Sequence, residues 1–167
     1  LSFAQWERFE FAKTSIVDFL GEMDGASEQV GFVPFFSHAE LRKRLTQDKQ
    51  DVARAVLAVA TASGSAVGDA ISVSADELLG ERHVPSNRPV LILISDGESR
   101  SGADPVQEAN AAKARGVRIF TVSSSEGVNH DLMRAIASSP DDYYYTTDPA
   151  DMSASMHAIA ERVRCGE

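Results

Sequence analysis

Two short stretches, "SGSAVG" (Ser63–Gly68) and "SDGES" (Ser95–Ser99), combine hydroxyls, carboxylates and glycines. Hydroxyl and carboxylate oxygens are hard donors of the kind Mg²⁺ selects, and Mg²⁺ often uses only one or two carboxylates because it keeps several of its waters. The same small polar residues are ordinary turn formers, so the pattern alone leaves both readings open. Softer metal chemistry is poorly served. The sequence holds one cysteine, Cys165, and four histidines, His38, His83, His130 and His157, which lack any paired ligand spacing. These histidines read as surface or satisfied core residues.

Catalysis finds no constellation. The sequence has no G-x-S-x-G elbow, no G-x-x-x-x-G-K-[ST] phosphate loop and no G-x-G-x-x-G opening a helix. Ser123–Ser125 stand beside Glu126 and Gly127 without an identifiable base, and such serines solvate loops more often than they attack. Asp141, Asp142 and Tyr143–Tyr145 read as a loop followed by a strand packing aromatics. A non-enzymatic protein is expected. A net charge of -9, with the acids spread along the chain, weighs against a nucleic-acid footprint or a polybasic membrane patch. No apolar run approaches bilayer length, and residues 1–20 lack the basic start and apolar centre of a signal peptide.

The second stretch is delivered by "VLILI" (Val90–Ile94), five branched aliphatic residues after Pro89. Such a run reads as a strand buried on both faces, as in a parallel sheet, which places Asp96 at the sheet's carboxyl end. "VRIFTVS" reads as a second buried strand and "DYYYTT" as a short last one. Between and after them, Asp104-Pro105 starts a helix ending at Gly116, Asn129 caps a helix from His130 to Ser138, and Asp148-Pro149 starts one reaching Arg164. Upstream, Ser2 and Gln5 form a capping box for a helix carrying Trp6, Phe9, Ile16, Leu20 and Met23 at helical spacing until Gly25. "QVGFVPFFS" and "HAELRKRLT" read as a hairpin whose second strand is an edge protected by Arg42, Lys43 and Arg44. Asp48 caps a helix from Lys49 to Ala60, and another runs from Asp69 to Leu79 before Gly80. This alternation predicts a three-layer α/β/α, Rossmann-like fold: an open, mostly parallel sheet with one antiparallel edge strand and helices on both faces. Right-handed crossovers gather the loops after the parallel strands at one end, where ligands of such folds bind. The length suits one domain over residues 1–167.

"RPVLILISDGES…DPVQEANAAKARGVRIFTV", then "LMRAIASSPDDYYYTTD" and a terminal helix, resembles the von Willebrand factor type A domain. "VGFVPFFSHAELRKRLT" is similar to that family's second and third strands, and "SGSAVGDAI" to its Gly-Thr-x-x-Gly loop. The resemblance implies a metal-ion-dependent adhesion site, in which three loops hold one divalent cation whose open position takes a carboxylate from a protein ligand. By position, the family's threonine falls on Ser65 and its last aspartate on Asp96, with Gly64, Gly97 and Glu98 at the ligand-binding rim. The cation implied is Mg²⁺, or Mn²⁺ or Ca²⁺. The D-x-S-x-S motif and the first strand have no counterpart, and Leu1–Trp6 match the residues that follow that motif. In the family's strand order, 3-2-1-4-5-6, this strand is central, between "VGFVPFFS" and "VLILIS". Its absence would leave two ladders of N–H and C=O groups to satisfy, each orphan costing about 1–3 kcal/mol. Three arrangements are open: the strand lies upstream in a longer domain, which is preferred; another chain adds it; or the flanking strands pair directly and the site is lost.

The resemblance implies a non-enzymatic adhesion or matrix module, extracellular or at the cell surface, that binds a protein carboxylate through a cation held in part by Ser65 and Asp96. Extracellular members often carry one cysteine before the first strand and one after the last helix, the position of Cys165, and a pairing of the two would imply an oxidising compartment; a free thiol on the tail is the alternative. A cytoplasmic scaffold subunit of an AAA-type chelatase machine, and a structural domain without metal, are the competing expectations.

Overall fold

The computed structural model describes residues 3–23 and 28–165, so Ser2 and Gly25, the expected bounds of the first helix, lie outside the described residues. That helix, α1, spans Phe3–Glu22 and buries Phe19 and Leu20. Trp6 departs from the expected apolar series: it is 50% exposed, and the buried side of the helix is set from further along. Strands β1 (Val30–Phe32) and β2 (Lys43–Thr46) pair antiparallel, Val30 opposite Thr46 and Phe32 opposite Lys43, with a register shift between. The expected hairpin is therefore real but shorter in its strands, and residues 33–42 join them through a bridge from Phe35 to Ala39.

Helix α2 (Lys49–Leu57) starts where Asp48 accepts the Asp51 N–H at 2.9 Å, and it stops short of Ala60. Helix α3 (Val67–Leu78) begins two residues before Asp69. Strand β3 (Val90–Ile94) leads to α4 (Pro105–Ala114), whose first turn is capped by Asp104 accepting from Val106 and Gln107 N–H, both at 2.9 Å. Gly116, at φ +91°, takes the left-handed turn that ends α4. Then come β4 (Arg118–Ser123), α5 (His130–Ile136) capped by Asn129, β5 (Tyr143–Tyr145) and, after a 3₁₀ turn over Pro149–Asp151, α6 (Met152–Cys165).

Strands β3, β4 and β5 form a parallel sheet in that order, with Ile94, Val122 and Tyr144 in register. One face is covered by α3, α4 and α5, whose Val67, Ile71, Ala109, Ala112 and Ile136 pack on Leu93 and Ile119. On the other face, Phe19 of α1 and Met152, Met156 and Ile159 of α6 pack on Phe120 and Val122. Further along, Leu20 meets Val52 and Val56 of α2 over Val30 and Phe32. Polar contacts join α1 to α6: Ser15 Oγ to Ser153 Oγ at 3.1 Å, Ser153 Oγ to Asp18 Oδ2 at 3.1 Å, and His157 Nδ1 to Glu22 Oε2 at 2.7 Å.

The β1–β2 ribbon and the three-stranded sheet are separate, because β1 and β3 do not pair. Direct pairing of the two, one of the three arrangements expected, is thus excluded among the described residues. Helix α3 touches β1, β2 and β3 alike, so it spans one face of the interval between them. Arg118 N–H donates to the Pro89 carbonyl at 3.0 Å and Ser95 N–H to the Val122 carbonyl at 3.1 Å. In a parallel ladder alternate residues face the same neighbour, so the backbone groups of Val90, Ile92 and Ile94 point away from β4, toward the interval. The expected burial of β3 on both faces is corrected accordingly: only Leu93 is fully buried, and the other four residues of the strand are partly exposed, because among the described residues β3 has a strand partner on one side only.

Candidate functional site

The two polar stretches meet at the carboxyl end of β3. Asp96 is exposed just past the strand, and its Oδ1 accepts the Glu98 N–H at 3.0 Å. Ser65, at the entrance to α3, donates its hydroxyl to the carbonyl of the same residue, Glu98. Arg100 N–H returns a bond to the Ser65 carbonyl at 2.9 Å. Glu98 is therefore clasped between Asp96, which accepts its N–H, and Ser65, 33 residues away in sequence, which donates to its carbonyl.

Glycines make this closeness feasible. Gly64 has φ +113°, and a Cβ there would stand 2.4 Å from Ser37 N, so only glycine lets the loop lie against residues 36–37. Ala66 N–H completes that contact by donating to the Phe36 carbonyl at 2.8 Å. Gly97 has φ +75° and is buried against Asn129 and Met133, so it shapes the loop from beneath, whereas Gly64 and Glu98 are exposed. The Glu98 carboxylate is ion-paired with Arg100.

Several contributors carry no local signal. Asn129, read from sequence only as a helix cap, also donates its backbone N–H to the Asp96 carbonyl at 3.0 Å. Asp69 Oδ1 accepts Ala103 N–H at 2.8 Å and ties the loop after β3 to α3. Ser101 and Ser37 join the loops from the other side at 3.4 Å. Each pairing spans more than thirty residues, and only the folded sheet brings them together.

The donor set fits a hard cation in part. Because Ser65 gives its proton to Glu98, its oxygen has lone pairs to offer, and Asp96 Oδ2 carries charge that the loop does not consume. Among the described residues, no three histidine, cysteine, aspartate or glutamate side chains gather to hold a metal ion. The two loops present a partial oxygen set, suited to Mg²⁺ with retained waters and not to a closed nitrogen or sulfur site. Asp142, read from sequence as loop, lies elsewhere: it is buried, paired with Arg118 and Arg162 near the amino end of β4.

A parallel sheet between two helical layers, with hydroxyl and carboxylate loops joined at its carboxyl end, defines an α/β domain of open-sheet type. The chain belongs to the von Willebrand factor type A domain family, whose model matches residues 5–161. A comparison with curated proteins gives no match. Among solved structures, the fold is similar to proximal thread matrix protein 1 from the mussel byssus, with a TM-score of 0.84 and 20% identity over 95% of this chain and 43% of that one. A second structure of that protein, with a zinc-occupied MIDAS motif, gives 0.82 and 21% over the same shares. The vWF domain of the type V pili tip protein Mfa5 from Porphyromonas gingivalis matches at 0.84 and 12% identity, over 99% of this chain and 91% of that one. The chain thus spans less than half the length of the mussel protein, and at these identities the likeness is one of fold.

Proposed function

We propose that the chain is a protein-binding module of adhesion or matrix type, at work outside the cell or on its surface, that acts by binding and not by catalysis. The reading rests on one observation: Ser65 and Asp96 close on Glu98 at the carboxyl end of the sheet. There Asp96 would supply charge and Ser65 a neutral oxygen to Mg²⁺, Mn²⁺ or Ca²⁺. Once bound, such an ion supplies an electrophilic point that takes a carboxylate oxygen from a protein ligand. Gly64 keeps the Ser65 loop low enough for a ligand to approach, and Arg100 holds the Glu98 carboxylate aside, so it does not compete for the same position. The byssal matrix protein and the pilus-tip domain among the fold relatives support this class.

The remaining ligands belong on a strand in the interval between β1 and β3, where Val90, Ile92 and Ile94 offer backbone groups to a neighbour. Calorimetric titration with Mg²⁺ of a protein whose interval is filled by its upstream residues or an added peptide tests the reading. Binding should be saturable and one to one, lost in Asp96→Ala and weakened in Ser65→Ala. Unchanged binding in Asp96→Ala would sink it.

A further inference from the structure

We propose that a second, separate site at the amino end of the sheet binds a compact aliphatic carboxylate. Between the start of β3, the start of β4 and the end of α6 lies a cavity of about 140 Å³. One water needs only about 10–15 Å³ by a comparable measure, while drug-sized ligands occupy roughly 300–1,000 Å³. The space therefore suits a small organic molecule. Its walls are apolar at Val90, Phe120 and Val163, Arg88 and Arg118 also line it, and no acidic residue is among the described residues that do.

The charge there opposes that of the chain, which carries -9. Asp142, 1% exposed, accepts from Arg118 Nε at 3.3 Å and Nη2 at 2.9 Å, and takes Arg162 Nη2 at 2.9 Å on the same oxygen. Among the described residues, one carboxylate thus answers two guanidinium ions. Both guanidinium groups lie over the Phe120 ring, the Cζ of Arg118 at 4.7 Å and that of Arg162 at 5.3 Å from its centre. This packing locks the orientation of Arg118, whose Nη1 donates to no partner among the described residues. A fixed planar donor beside an apolar wall matches a carboxylate head carrying a short hydrocarbon tail. A multiply charged phosphate would waste the apolar wall.

The test is a titration of the protein with pentanoate in the presence of a chelator, so that cation binding at Asp96 plays no part, with 1-pentanol as the neutral isostere. Amide shifts should move saturably at Val90, Arg118 and Val163, and 1-pentanol should bind about tenfold or more weakly, the equivalent of one charge-assisted hydrogen bond. Val163→Phe, which fills the cavity, should abolish binding with the circular dichroism unchanged. Should that variant not fold, Arg118→Lys, which keeps a positive charge beside Asp142 but removes the planar fork, should weaken pentanoate several-fold and leave 1-pentanol alone. Equal affinity for acid and alcohol, binding indifferent to both substitutions, or no saturation into tens of millimolar would overturn the proposal.

Discussion

Glu77 closes the outer edge of the β1–β2 ribbon. Its nearly buried carboxylate accepts Leu45 N–H at 2.9 Å and Arg82 Nε at 2.8 Å, so an edge-strand donor is satisfied by a side chain and denied to other chains. The Arg82 guanidinium, helped by the Leu45 N–H, holds the Glu77 carboxyl below its ordinary value of 4.5 despite the opposing effect of burial. A depressed carboxylate stabilises the fold above its unfolded-state pKa, and the contribution fades as pH falls below 4.5 through the lowered folded-state value. Glu77→Gln should therefore cost about 1–2 kcal/mol in urea melts at neutral pH, and the gap from the parent should shrink in acid. A gap that stays constant on acidification would refute the assignment. The sequence suggested edge protection through Arg42, Lys43 and Arg44, but Arg42 pairs with Glu40 and Lys43 with Asp51, and the edge N–H belongs to Glu77. That role was illegible because Glu77 and Leu45 lie 32 residues apart, as Asp142 lies far from Arg118 and Arg162.

Caps are local chemistry, and for that reason the element boundaries that rest on them were readable. Asp48, Asp104 and Asn129 each accept the backbone N–H expected of them. The stretch between α2 and α3 was less readable: α2 ends early and α3 starts early, around a loop whose path is set by Gly64 lying on Ser37. Strand β3 shows a different limit. Its composition announced two covered faces, but a face is covered only as far as the neighbouring strands extend, and among the described residues a neighbour pairs on one side alone. Hydrogen exchange on residues 1–167 should accordingly alternate along β3, with Leu91 and Leu93 protected and Val90, Ile92 and Ile94 exchanging faster. A strand bound in the interval should protect the second set. Uniform protection of all five before any strand is supplied would show that the edge is already satisfied.

At the scale of the molecule, the layering and the antiparallel ribbon followed from the order of elements, whereas the separation into two sheets depends on a pairing that order alone does not fix. The proposed cation binding should be coupled to closure of that separation. An ion that binds only the folded, gap-filled state adds about 2.7 kcal/mol at a hundredfold excess over Kd. For a chain of this size that is roughly 5–11 °C in Tm. Mg²⁺ should raise the melting temperature by that order when the interval is filled and by much less when it is open; equal shifts in the two forms would uncouple the site from the strand. One further property follows from the seam between α1 and α6. Ser15 and Asp18 meet Ser153 while Glu22 meets His157, so contacts ascend together and the two helices run parallel. Tension between the first turn of α1 and the last turn of α6 therefore loads the seam in shear. Its polar contacts and the packing of Phe19 near Met152 and Met156 share the force at once instead of peeling apart in sequence. Endurance under such a pull is governed by the unfolding rate, so the seam would act as a mechanical clamp even in a domain of ordinary equilibrium stability.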